Sequence, residues 1–226
     1  MTRVRLITFI GFLFLFNISV ASAGILIGGT RVIYNGDKKE SALSVSNPDN
    51  FPYLIQSWVE SEKEAAPFII TPPLFRLDGE QENILRIVYT GSGLPEDRES
   101  LYWINIKSIP RTEKKTDANT LQIAVKTRIK LIYRPQVITQ LTPEMDTHKL
   151  QWSLSGNQLV VYNPTPFYMH FYSISADGNP LKDISYVSPG SSATFRIPAR
   201  KLRKISWQLI NDYGGTGPEH NVTLSP

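Results

Sequence analysis

Residues 121–133 read Leu-Gln-Ile-Ala-Val-Lys-Thr-Arg-Ile-Lys-Leu-Ile-Tyr. In an extended chain successive side chains point to opposite faces, so Leu121, Ile123 and Val125 share one side while Gln122, Ala124 and Lys126 share the other. This pattern predicts a strand from Leu121 to Tyr133. On periodicity alone it is half-buried, with its apolar side in a core. The polar stretch before it, Arg111 to Thr120, then reads as a hairpin connection.

The same signals recur on either side. Ser41–Ser46, Tyr53–Val59, Ile84–Tyr89 and Leu101–Ile109 are rich in β-branched and aromatic residues, largely at period two. Asn35-Gly36, Asn47-Pro48, Asp78-Gly79 and Gly91-Ser92-Gly93 supply turn chemistry between them. After Tyr133 the stretch from Pro135 to Pro143 has little strand character. A second set of strands follows at Lys149–Leu154, Gln158–Tyr162, Tyr168–Ser175, Ala193–Ile197 and Lys204–Ile210, with turns at Asn163-Pro164 and Asp177-Gly178. The mature chain shows no long amphipathic helical pattern. The fold class is all-β, and sandwiches of about 100 residues each divide the chain into residues 24–138 and 139–226.

The chain opens with Arg3 and Arg5, an apolar run from Leu6 to Phe16 and the small residues Ala21-Ser22-Ala23. This is the layout of a secretory signal peptide, residues 1–23, cleaved after Ala23. A membrane anchor needs roughly 20 apolar residues, and Asn17 and Ser19 interrupt the run too early. Removing residues 1–23 from 226 leaves 203 and lowers the formal charge from +4 to +2. That surplus implies no nucleic acid, and no block of Lys and Arg is dense enough to track phosphates. The chain contains no cysteine, so disulfides, thiolate chemistry and Cys-based zinc sites are excluded and stability must come from packing. Export without disulfides points to a bacterial periplasm, with no insertion into the membrane.

Enzyme signatures are poor. His148, His170 and His220 show no metal-ligand spacing, and Gly91-Ser92-Gly93 lacks the frame of a nucleophile elbow. Gly214-Gly215-Thr216-Gly217 has no following Lys and no helix to open. No catalytic residue, metal or cofactor is indicated.

One further run carries a resemblance. Leu94-Pro-Glu-Asp-Arg-Glu-Ser-Leu-Tyr-Trp-Ile-Asn-Ile-Lys-Ser-Ile-Pro110 resembles the signature of the periplasmic pilus chaperones, the family of the P-pilus and type 1 pilus chaperones. Further matches are Gly29-Thr-Arg-Val-Ile-Tyr34, Thr71-Pro-Pro73, Thr127-Arg-Ile-Lys-Leu-Ile-Tyr-Arg-Pro135, Tyr162-Asn-Pro-Thr-Pro166 and Ile210-Asn-Asp-Tyr-Gly-Gly215. They fall in family order and span both predicted sandwiches.

The resemblance implies two immunoglobulin-like sandwiches with a cleft between them. It also implies a non-enzymatic chaperone that caps pilus subunits by lending them a strand and delivers them to an outer-membrane usher. In that reading Leu121, Ile123 and Val125 are the alternating plugs of the donor strand. Arg31 and Lys130 bind the subunit's C-terminal carboxylate, a role suited to a bidentate guanidinium and an ammonium. Glu99, Arg134 and Asp212 form an interdomain charge network, and Thr30 and Tyr133 line the cleft. Pro72 and Pro73 read as turn or edge-strand residues.

The short Arg111–Thr120 loop and the missing cysteines imply the short-loop branch, and the paired glycines at Gly28-Gly29 leave pairing at the start of the first strand open. Without a subunit, the apolar plugs imply self-association through the donor strand. The alternative from another class is a secreted two-domain adhesin, in which the Leu121–Val125 face belongs to the protein's own core and Arg31 and Lys130 are incidental.

Overall fold

Leu43 and Val45, Leu85 and Ile87, Ile104 and Ile106, and Ile129 and Leu131 are buried pairs two residues apart, the mark of strands with one face in a core. The computed structural model describes residues 24–62, 65–91, 93–111, 122–197 and 202–224. The expected leader and Leu121 lie outside the described residues. In chain order the first half contributes β1 (Leu26–Ile27), β2 (Arg31–Asn35), β3 (Ser41–Ser46), β4 (Tyr53–Glu60), β5 (Phe68–Thr71), β6 (Leu74–Leu77), β7 (Glu82–Tyr89), β8 (Ser100–Pro110) and β9 (Val125–Arg134). One sheet has the order β1-β3-β7-β5 and the facing sheet β2-β9-β8-β4-β6. Pro72 and Pro73 form the link between the edge strands β5 and β6, and the Thr71–Pro72 bond is cis.

The start of the chain is shared between the two sheets. β1 runs antiparallel to β3, while β2 runs parallel to β9 with Arg31 opposite Lys130 and Asn35 opposite Arg134. The crossover occurs at Gly28-Gly29. The Gly28 N–H donates to the Ser44 carbonyl at 2.9 Å, and a Cβ on Gly28 would collide with the Ser44 side chain. Glycine lets the chain approach β3 without displacing the Ser44 hydroxyl, and the pairing left open by the sequence forms on both sides of it.

That switch has a consequence for β9. Its Lys130–Arg134 half is flanked by β2 and β8, but its Val125–Ile129 half is flanked by β8 alone among the described residues. The strand also starts later than its periodicity predicts. Gln122, Ile123 and Ala124 belong to no ladder, because the β8 pairing ends at Ser108 opposite Val125 and β8 itself closes with Pro110, which has no N–H to give.

The second half contains α1 (Pro143–Asp146), β10 (Gln151–Ser155), β11 (Gln158–Asn163), β12 (Met169–Ala176), β13 (Asn179–Pro180), β14 (Tyr186–Val187), β15 (Ser191–Arg196), β16 (Lys204–Ile210) and β17 (Thr216–Thr223). The sheet β10-β11-β15 packs on β13-β12-β16-β17 around Leu159, Val161, Phe167, Met169, Phe171, Ile174, Ile205, Trp207 and Leu209. Lys149, expected to open a strand, lies instead in the 3-10 turn Thr147–Lys149. The Trp207 indole N–H, donating to Thr147 Oγ1 at 2.9 Å, pins that turn to the core. β17 was missed in the sequence because its residues are polar and include Gly217 and Pro218. It is a strand by virtue of its ladder to β16. Ile138 packs into this second core, so the polypeptide changes cores within the Pro135–Leu141 turn. Truncating a fully buried residue of either core, Leu131 or Leu209, costs about 2–5 kcal/mol. Among the described residues no helix is long and apolar enough to cross a membrane.

Candidate functional site

Three ionisable side chains meet where the sandwiches join. Arg134 ends β9, Glu99 immediately precedes β8, and Asp212 lies in the turn after β16. The Arg134 Nε donates to Glu99 Oε1 at 2.8 Å, while Nη1 and Nη2 donate to Asp212 Oδ2 and Oδ1 at 2.7 and 2.9 Å. The other Glu99 oxygen accepts the Tyr168 N–H at 2.8 Å, and the Glu99 N–H donates to the Pro166 carbonyl at 2.9 Å. One guanidinium and one carboxylate therefore tie four segments from two cores. Both Glu99 and Arg134 are buried. Burial pushes the Glu99 carboxyl up to about 7, against the lowering effect of Arg134 and the Tyr168 amide. Burial lowers the Arg134 guanidinium, but its bonds to Asp212 and the charge of Glu99 outweigh this and leave it above its ordinary value. Gly214, in the same turn as Asp212, has φ +85°, a conformation that strains any other residue, and a Cβ there would meet the Thr30 hydroxyl.

Next to this compensated cluster stands an uncompensated one. The parallel register of β2 and β9 sets Arg31 directly beside Lys130. Neither forms an ion pair with a carboxylate among the described residues. Arg31 donates one bond from Nη1 to the Ile210 carbonyl at 3.3 Å, and its Nε is buried without a partner. The Lys130 ammonium lies 5.7 Å from the Trp103 ring centre and 5.8 Å from that of Tyr186. Burial lowers the Arg31 pKa, with Asp212 and Glu99 opposing; burial and then the neighbouring Arg31 charge lower that of Lys130. Two half-buried cations side by side with an unsatisfied N–H form a site for an anion.

The flanks of β9 differ sharply. Val125 lies on the side that carries the buried Ile129 and Leu131, yet Val125 is 55% exposed and Ile123 is 66% exposed. They rim a hollow of about 90 Å³ with Ile25, Ile27, Tyr53 and Ile106, at the open end of the first sandwich. The opposite face carries a row of cations laid on indoles. Lys126 sits 5.0 Å from the Trp58 ring centre and 3.7 Å from a Glu60 oxygen, and Arg128 lies 4.2 Å from that of Trp103. Sequence reasoning passed over this row, although Lys126, Arg128 and Lys130 recur at period two. It also passed over Tyr168 and Tyr186, which line a hollow with Glu99 and Trp103, and over His170, buried against both rings. Tyr133 stacks on Tyr34 at 6.0 Å and packs at a tilt on Tyr89 at 5.3 Å, inside an aromatic cluster of the first sandwich rather than simply along the cleft.

A strand edge left open on one side among the described residues, leading into a cationic cleft between two immunoglobulin-like sandwiches, is the architecture of a pilus chaperone. The sequence supports the same class independently. Residues 24–139 match the N-terminal domain of the PapD pili and flagellar-assembly chaperones, and residues 146–221 match the PapD C-terminal domain. The chain is 43% identical over 204 residues to the chaperone protein FimC of Escherichia coli K12, covering 88% of this chain and 84% of FimC. Its fold superposes on the SafB chaperone, solved in complex with the Salmonella enterica SafA pilin. The TM-score is 0.83, the identity 38%, and the coverage 91% of this chain and 99% of that one. The E. coli chaperone DraB aligns with a TM-score of 0.80 at 41% identity, covering 89% and 96%. This protein belongs to the PapD family of pilus-assembly chaperones and acts in the chaperone–usher pathway.

Proposed function

We propose that the protein captures pilus subunits in the periplasm by pairing its open β9 edge with them and anchoring their C-terminal carboxylate on Arg31 and Lys130. The observation that carries this reading is the half-paired β9. Among the described residues its Val125–Ile129 portion has a free edge for main-chain hydrogen bonds, and its continuation, in the same strand, delivers Lys130 next to Arg31. Main-chain bonds along the edge attract without reading sequence, while alternate side chains and the fixed chain end choose the register. Ile123 and Val125, with Leu121 ahead of them, would fill a groove over the subunit's core, and their exposure in the free protein supports that role. Glu99, Arg134 and Asp212 would hold the cleft open at a fixed geometry. The SafB complex with a pilin supports the partner class.

The usher is the expected recipient of the loaded complex. Export with cleavage after Ala23, a division of the mature chain after residue 138, membership of the short-loop branch, the absence of enzymatic activity and self-association through β9 without a subunit complete the proposal. Periplasmic co-expression with a pilin encoded beside the chaperone tests it. Pilin should accumulate with wild type and be degraded with Arg31→Ala or Lys130→Ala. Equal protection by all three proteins overturns the carboxylate anchor.

A further inference from the structure

The outer face of the sheet β2-β9-β8-β4 carries most of the chain's net charge. Cross-strand partners share a face, and the registers set Arg31 beside Lys130 and Lys126 beside Lys107, with Arg128 between those rows. Ile104, Ile106, Ile129 and Leu131 alternate with them and point the other way, into the core. Among the described residues two carboxylates oppose these five cations. Glu60 lies 3.7 Å from the Lys126 ammonium, and Glu62, at the end of the face, accepts the Trp103 indole N–H at 3.3 Å. Five cations against two carboxylates leave +3, of a chain total of +4. Arg128 has the Trp103 ring for a neighbour and no ion pair among the described residues. The charge is thus gathered on the strand whose edge is open.

An added strand meets this charge in a defined way. With its last residue at the Lys130 end and its body along Val125–Ile129, it runs parallel to β9 and continues the line of β2. Its side chains then alternate between the two faces. Those on the inner face extend the apolar side of Ile123 and Val125. Those in between stand on the outer face, one strand spacing of about 4.8 Å from Lys126 and Arg128. That is well inside the screening length of about 8 Å at physiological salt. Both cations are exposed. Their heads rest over Trp58 and Trp103, on the β8 side, and ring contacts at exposed sites are weak enough to let them swing to the open edge. The terminal carboxylate answers Arg31 and Lys130 only. Lys126 and Arg128 are left for the side chains of the strand itself, and opposite charges across a ladder attract while like charges repel.

We infer that Lys126 and Arg128 are specificity residues that select subunit strands bearing carboxylates at the positions between their apolar residues. This rests on the proposed capture of a strand by the β9 edge with its end on Arg31 and Lys130. The test uses three synthetic peptides of one length, with the same last residue and a free C-terminal carboxylate. All are apolar at every second position, and they carry Glu, Gln or Lys in between. They are titrated calorimetrically into wild type and variants. Wild type should bind the Glu peptide about fivefold tighter than the Gln peptide at low salt, the gain expected from two cross-strand pairs, and the Lys peptide most weakly. The differences should close at about 0.5 M salt. Lys126→Gln/Arg128→Gln should bind the Glu and Gln peptides alike, and Lys126→Glu/Arg128→Glu should reverse the order. Lys182→Gln/Lys204→Gln removes two exposed cations of the second sandwich and should leave the ratio as in wild type. If it lowers the ratio equally, net charge alone sets the preference and the inference fails. Arg31→Ala should weaken all three peptides and keep their order. If it does so while Lys126→Gln/Arg128→Gln leaves the Glu-to-Gln ratio unchanged, the inference fails and the carboxylate anchor stands. If Arg31→Ala changes no affinity, the anchor fails and the inference falls with it. Should the double variants not fold, NMR of the Arg128 Nε–H in wild type decides. Its resonance should shift with the Glu peptide well beyond the shift with the Gln peptide, and equal shifts overturn the inference.

Discussion

Arg134 and Arg31 lie in the same cleft on neighbouring strands, and their surroundings could hardly differ more. Arg134 donates four hydrogen bonds, to Glu99, to both oxygens of Asp212 and to the Leu141 carbonyl. Arg31 has one long bond to a carbonyl, an unsatisfied N–H and a lysine for a neighbour. A buried charge surrounded by its counter-charges stabilises a fixed arrangement, because removing one member strands the others. A half-buried charge held against another of the same sign weakens the free protein slightly and favours whatever anion enters. The first cluster is satisfied within the fold, and the second leaves its charge unanswered, as the proposed anchor requires.

The comparison can be broken most forcefully at Arg134. Arg134→Ala leaves Glu99 and Asp212 without their cation, and a loss of about 3–5 kcal/mol in urea unfolding is expected, with the two sandwiches melting separately. A loss below about 1 kcal/mol would mean the cluster is not a clamp.

The titration of the two cleft groups comes next. Glu99 keeps its proton in the folded state up to about pH 7, whereas an unfolded glutamate releases it near 4.5. Its contribution to stability is therefore fully present below about 4.5 and lost as pH rises through 7. His170 behaves in the opposite sense. Its folded pKa near 3 lies below the unfolded value of 6.5, so its contribution is fully present above 6.5 and lost as pH falls toward 3. Relative to wild type, Glu99→Gln should lose stability least at high pH, flattening the fall between 4.5 and 7. His170→Phe should gain relative stability on acidification from 6.5 to 3, by at most about 3–5 kcal/mol. Unfolding free energies measured across pH 3–8 for the three proteins check both signs.

Arg31→Ala should change stability by less than about 1 kcal/mol, because relief of Lys130 offsets the lost contact to Ile210, even though pilin protection disappears. Smallest of all, Ile123→Asp on the exposed rim should shift stability by less than about 0.5 kcal/mol. It should also abolish any self-association that sedimentation detects in wild type at rising concentration. A wild type that stays monomeric at every concentration contradicts the shielding of β9 by a second copy.

How much of this was legible in the sequence depended on which force placed each residue. Strands with their own apolar alternation, such as Ser41–Ser46 and Lys204–Ile210, could be read directly, since burial of one face fixes them. β17 could not, because its polar residues are extended only through pairing with β16. Residues 122–124 carry the right alternation but lack a ladder, since a proline faces them across the hairpin. Arg31, Lys130, Glu99, Arg134 and Asp212 were legible through family motifs, not through any local pattern, and only the fold brings segments as distant as residues 31, 99 and 212 together. His170 sat in no motif. Its burial is tertiary, arising from an imidazole packed against Tyr168 and Tyr186.

The most direct measurement of the central claim compares one short strand peptide as a free acid and as its C-terminal amide, titrated into the purified protein. The amide leaves the β9 edge and the plug residues unchanged and removes only the negative charge. Binding of the free acid at least about tenfold tighter, a difference lost in Arg31→Ala, is the expected result. Equal affinity for the two peptides would contradict the reading of Arg31 and Lys130 as a site that waits for a terminal carboxylate.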